Sequence, residues 1–96
     1  NFKKGAGVLP LRGQNNVQGA CDVGCLPYYL PDYIRPSEDE IGLMTPDIIE
    51  EILNGKIKAI INMGEDILHI HPNQNKIHKA FEKLDFLMVL EVMNNE

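Results

Sequence analysis

A chain of 96 residues, 44% of them apolar, has material for a single hydrophobic core and therefore for one compact unit or a piece of one. Nine basic residues against fourteen acidic ones leave a net charge of -5, which argues against a surface built for nucleic-acid phosphates or anionic lipid. The longest apolar run, Phe86 to Leu90, is far shorter than the roughly 20 residues needed to cross a bilayer, and no signal-peptide pattern opens the chain, so a cytoplasmic location is expected, with export of a longer parent protein as the alternative, and no membrane contact is expected from this segment.

Residues 1–44 form a loop-rich segment. Six of the eight glycines, five of the six prolines and all three tyrosines fall in the first 46 residues. Within this segment PLRGQNNVQGACDVGCLP, residues 10–27, keeps no apolar period and reads as neither helix nor strand. Arg12 is followed there by Gly13, Gln14, Asn15 and Asn16, with Gln18 close behind. A fixed cation thus stands beside several amides that both donate and accept, a combination suited to a flat polar ligand. Cys21 and Cys25 are separated by three residues, unlike the usual zinc or redox pair, and are expected to be reduced thiols. Tyr28, Tyr29 and Tyr33 lie close to prolines and are expected to anchor the long loop to the core. Ser37 to Glu40, SEDE, reads as a solvated acidic turn.

Residues 45–96 are periodic. Thr45, Pro46 and Asp47 announce a helix through a capping hydroxyl, a first-turn proline and an acid near the positive helix end. Ile48, Ile49, Ile52 and Leu53 give it one apolar stripe, and Asn54-Gly55 stops it. IKAIINM, Ile57 to Met63, is a short β-branched run that suits a strand covered on both faces. A second helix is expected over Asn75 to Leu84, with Ile77, Ala80, Phe81 and Leu84 on one face. Asp85 to Met93, DFLMVLEVM, reads as a second buried strand. Strand, helix and strand make a right-handed βαβ unit with parallel strands, part of a doubly wound, Rossmann-like α/β sheet. Ile60, Ile61, Phe81, Leu87 and Val89 are its expected buried residues.

In such sheets ligands bind beyond the carboxyl ends of the strands. The first strand ends in Gly64, Glu65 and Asp66, where a glycine admits close approach and two carboxylates accept from hydroxyl or amino groups; the second ends near Glu91. His69, His71 and His78 do not add up to a closed metal site: His69 and His71 fall on a loop ending at Pro72, and no thiol or fixed carboxylate accompanies them. No Gly-x-Gly-x-x-Gly or Walker loop opens either helix. Ser37 and Thr45, the only aliphatic hydroxyls, occupy turn and cap positions with no readable base beside them. Any redox or transfer chemistry would therefore be carried by a cofactor.

The stretch PLRGQNNVQGACDVGCLPYYLPDY resembles a segment of the molybdopterin oxidoreductases, in particular the catalytic alpha subunit of molybdenum or tungsten formate dehydrogenases. GLMTPDIIEEILNGKIKAIINMGEDILHIHPNQNKIHKAFEKLDFLMVLEVMNNE is similar to the following part of the same subunits, so the resemblance covers nearly the whole chain. It implies that Arg12 faces the metal and holds the formate carboxylate, and that Gly13 and Gln14 line the pterin and metal pocket. It also implies that Gly64, Glu65 and Asp66 bind a guanine dinucleotide of the bis-molybdopterin guanine dinucleotide cofactor, which Glu91 approaches from the next strand end. Formate and carbon dioxide would be substrate and product, and electron-transfer subunits the partners. Iron-sulfur cysteines, the cysteine or selenocysteine metal ligand and its histidine partner would lie earlier in the full subunit, so this segment would be an internal piece of an enzyme, inactive alone. Ile67 stands where the family has proline, and Leu9 where asparagine is frequent. The alternative expectation is a non-catalytic α/β binding or interaction module.

Overall fold

The computed structural model describes residues 3–93, so residues 94–96, the end of the expected 45–96 region, lie outside it. Two compact units divide between Gly42 and Leu43.

In the first unit a short helix, α1 (Val17–Asp22), stands where neither helix nor strand is expected. Its sequence, VQGACD, places Val17, Ala20 and Cys21 on one half-buried face, but six residues are too few for a helical period to stand out and none is fully buried. Polar contacts hold it in place. Tight turns follow at Pro31–Tyr33 and Glu38–Glu40. The second is closed by a capping box in which the Ser37 hydroxyl and N–H both donate to the Glu40 carboxylate. The Ser37 hydroxyl bond holds the Glu40 carboxyl below its ordinary range. The tyrosines do not enter a core: Tyr28, Tyr29 and Tyr33 are all exposed, and Tyr29 and Tyr33 meet edge to face at 6.0 Å. Tyr33 instead ties its turn to α1 through its hydroxyl. Cys21 and Cys25 are free thiols.

The second unit contains α2 (Thr45–Leu53), β1 (Ala59–Met63), α3 (Ile67–Ile70), α4 (Gln74–Phe81) and β2 (Phe86–Leu90). Thr45 is the first helical residue rather than the cap, which is Met44, and Pro46 follows within the first turn. The helix ends through Asn54 and a left-handed Gly55 at φ 77. Ile49 and Ile52 of α2 meet Ile77 and Ala80 of α4 in a small buried core, against which Ile57, Ile60, Phe81 and Leu84 pack. Lys83 Nζ donates to the Leu53 carbonyl at 2.7 Å, closing the end of α2. Asn73 Oδ1 accepts from the Lys76 N–H at 3.1 Å and caps α4.

The two strands pair in parallel, Ala59 opposite Phe86 through Met63 opposite Leu90, as expected for an α/β fold. The expectation of burial on both faces is corrected. Ile60 packs against the α2 and α4 core, but Ile61 is 66% exposed, and Leu87 and Val89 are 40% and 45% exposed. Side chains alternate across a strand, so helices lying against one face of β1 leave Ile61 on the other. Every residue of β2 is exposed. A second helix-free expectation also fails: His69 lies in the single turn of α3, not on a loop.

Candidate functional site

The parallel register brings both strand ends to one edge. The Gly64 N–H donates to the Leu90 carbonyl at 2.9 Å, carrying the ladder one step past β1 and setting Gly64, Glu65 and Asp66 beside the chain that enters Glu91. Gly64 turns at φ 69, in the left-handed region, and an added Cβ would meet nothing within 4 Å. Its conformation, not crowding, calls for glycine. The turn is braced from within the strand: Asn62 Nδ2 donates to the Glu65 carbonyl at 2.6 Å.

The carboxylates of this edge have different surroundings. Asp66 faces His69, whose Nδ1 lies 2.8 Å from both carboxylate oxygens. Glu65 is half exposed, with His71 Nε2 at 3.9 Å. Glu91 accepts from the N–H of Val92 at 2.7 Å. Among the described residues no group of three or more His, Cys, Asp and Glu side chains could hold a metal ion. A groove of about 260 Å³ elsewhere in this unit is lined by Ile49, Ile77, Pro72 and the Glu50–Lys76 ion pair, and involves none of the expected site residues.

Arg12 belongs to the first unit and lies in an irregular stretch, with Gly13 and Gln14 exposed beside it. The amide that engages it is Gln18, not Gln14: Arg12 Nη2 donates to Gln18 Oε1 at 3.1 Å. Gln18 Nε2 in turn donates to Asp22 Oδ1 at 2.9 Å and to the Tyr33 hydroxyl oxygen at 2.6 Å. Tyr33 donates its own proton to Asp22 Oδ1 at 2.8 Å. The Gln18 and Tyr33 bonds hold the Asp22 carboxyl below its usual value, and the same Asp22 contact pushes the Tyr33 phenol up. Asp22, Tyr33, Asn62 and His69 are therefore structural partners of the expected site that sequence reading overlooks. Gln18 and Asp22 do carry a signal, the four-residue spacing that puts two polar side chains on one helix face.

No family model matches the chain. Similar proteins do exist. The chain is 37% identical over 106 aligned positions to the probable oxidoreductase YjgC of Bacillus subtilis, with 94% of this chain and 11% of that protein covered. It is 39% identical to the F420-dependent formate dehydrogenase subunit alpha of Methanocaldococcus jannaschii, covering 98% of this chain and 16% of that one. Against formate dehydrogenase H of Escherichia coli the identity is 33%, over 94% of this chain and 15% of the relative. The chain spans only 11–16% of the length of these curated relatives. The chain belongs to the family of formate dehydrogenase alpha subunits and related oxidoreductases.

Proposed function

We propose that this chain is part of the catalytic subunit of a molybdenum or tungsten formate dehydrogenase, in which formate is oxidised to carbon dioxide, a proton and two electrons. The observation that carries this reading is similarity along 94–98% of the chain to proteins named as formate dehydrogenases or formate dehydrogenase alpha subunits. A bis-molybdopterin guanine dinucleotide carrying molybdenum or tungsten supplies the two-electron redox chemistry when bound. Its iron-sulfur and electron-transfer partners belong to the rest of the protein.

The strand edge has the donor set for the nucleoside end of such a group. The side of Gly64 that a Cβ would occupy is open, so a base can approach the backbone closely. Carboxylates such as Glu65, Asp66 and Glu91 accept hydrogen bonds from guanine N–H groups and ribose hydroxyls. The same charges repel a pyrophosphate, whose donors must come from other parts of the protein. In the other unit, Arg12 offers the planar fork that matches a carboxylate, and it holds formate by paired N–H donors with its carbon left unblocked. Gly13 and Gln14 line the same pocket, the glycine giving room and the amide giving a donor and an acceptor.

The test is made on the complete protein. Formate-dependent dye reduction, with stoichiometric molybdenum or tungsten by elemental analysis, is the expected result. Arg12→Lys keeps the charge but loses the fork, and is expected to depress formate turnover with bound metal nearly unchanged. Absence of both metal and formate-dependent reduction from the complete protein would refute the reading.

A further inference from the structure

Arg12 sits on irregular chain, and a long exposed side chain there has many rotamers to lose on binding a small anion. What fixes it is a directed series of hydrogen bonds. The Gln18 amide has two N–H donors and one carbonyl oxygen. Its nitrogen is engaged by two acceptors, Asp22 Oδ1 at 2.9 Å and the Tyr33 oxygen at 2.6 Å. The Tyr33 proton goes to Asp22 at 2.8 Å, so the phenol oxygen meets Gln18 with its lone pairs. With its nitrogen turned to these partners, the amide must present Oε1 outward, where Arg12 Nη2 lies at 3.1 Å. A flipped amide would aim N–H at a guanidinium and a carbonyl at a carboxylate, two repulsions at once.

The backbone around this set is held in costly conformations. Asn16, which precedes α1, has φ 56, Asp32 has φ 60, and Tyr33 itself has φ 59. Positive φ is rare for a bulky residue such as tyrosine and persists only where neighbouring contacts over-determine it. For Tyr33 those contacts are the hydroxyl bonds and the edge-to-face ring of Tyr29 at 6.0 Å. The site is thus supported from two separate pieces of chain, α1 and the Pro31–Tyr33 turn.

We propose that Gln18, Asp22 and Tyr33 are positioning residues for the Arg12 guanidinium, tethering it by Nη2 so that its remaining N–H donors are presented to the carboxylate of the substrate. This rests on the reading of Arg12 as the formate-binding arginine. Asp22 is the anchor, Tyr33 and Gln18 are its two ligands, and Gln18 alone of the three touches Arg12.

Steady-state kinetics on the complete protein test it, with variants Gln18→Ala, Gln18→Glu, Tyr33→Phe and Arg12→Lys, each assayed beside its molybdenum or tungsten content. Gln18→Ala is expected to raise the KM for formate about tenfold, the worth of one orienting hydrogen bond to a charged group. Tyr33→Phe should raise KM less, since Asp22 still engages the amide. Gln18→Glu should raise KM more than alanine does, because a carboxylate at this position pairs with Arg12 and competes with formate. Metal content should match the wild type throughout. A purely structural role predicts no such order, and turnover lost in proportion to bound metal would overturn the proposal. Wild-type KM in the Gln18 and Tyr33 variants, alongside an impaired Arg12→Lys, would overturn it and leave Arg12 as the substrate residue. A wild-type Arg12→Lys would remove the reading beneath it.

Discussion

Replacing Gly64 by alanine isolates one physical quantity, because the position is strained for any side chain but crowded for none. Its φ of 69 lies in the left-handed region, and a Cβ there meets nothing within 4 Å. No repacking is required, so the cost reduces to the backbone preference of an L residue, about 1–2 kcal/mol. That corresponds to a factor of about 5–30 in a local opening equilibrium. Opening is directly observable at this site, since the Gly64 N–H donates to the Leu90 carbonyl. Amide hydrogen exchange over residues 61–66 of the complete protein should therefore accelerate by about that factor in Gly64→Ala. Gly64→Asn should accelerate it less, because asparagine tolerates the left-handed conformation. Gly24 supplies the contrast: at φ 84 its Cβ would lie 2.6 Å from the Pro31 nitrogen, adding a steric clash to the conformational cost, and Gly24→Ala should do more damage in its own segment. Exchange unchanged in Gly64→Ala, or equally fast in the alanine and asparagine variants, would show that left-handed geometry does not hold this edge together.

Ile52 is fully buried at the centre of the α2 and α4 core, and Ile52→Ala should destabilise the second unit by about 2–5 kcal/mol, against about 1 kcal/mol for Ile52→Val, measured by denaturant unfolding. Tyr33 should ionise above its ordinary value of 10.0 because it donates to Asp22, and ultraviolet titration of Asp22→Asn should return it toward that value. The sign follows for stability: the raised phenol contributes below pH 10.0 and is lost as pH climbs through its folded value, whereas the lowered Asp22 contributes above 3.8 and is lost as pH falls through its folded value. The 96-residue chain alone should bind no molybdenum cofactor tightly and reduce no dye with formate, since Arg12 and a single strand-end turn offer only a small part of a binding surface; elemental analysis and a dye assay check both.

The elements legible in the sequence are those whose stability comes from an apolar face. α2 and α4 present isoleucines at helical spacing and bury them against each other, so Ile49, Ile52 and Ile77 announced both helices. β1 and β2 were legible as strands from their β-branched runs, with ends shifted by a few residues. α1 and α3 were not, because at six and four residues they are too short to show a period and neither contains a fully buried residue; α1 is fastened by side-chain amides and a phenol, and α3 by the Asp66–His69 contact together with Ile67 and Leu68 against the core. The exposure of Ile61, Leu87 and Val89 has another origin: an apolar run records that a strand suits cover on both faces, but not what provides it.

The strand-end turn shows a related division between what composition discloses and what geometry decides. Glycine followed by two acids is visible in any sequence, and it treats Glu65 and Asp66 alike. Folding separates them. Asp66 opens the single turn of α3 and has the His69 imidazole against both of its oxygens, so its charge is engaged within its own segment. Glu65 has its backbone carbonyl pinned by Asn62, while its side chain remains half exposed with only His71 at 3.9 Å. A ligand that needs a carboxylate acceptor at this edge must displace an imidazole to use Asp66, whereas at Glu65 it meets an acid whose backbone is already fixed. The same logic separates Arg12 from its neighbours, since its orientation is set by Gln18, Asp22 and Tyr33 rather than by the adjacent Gly13 and Gln14. In both places the bracing is mostly local, Asn62 lying three residues before Glu65 and Gln18 six after Arg12, and only Tyr33 is brought in from further along the chain.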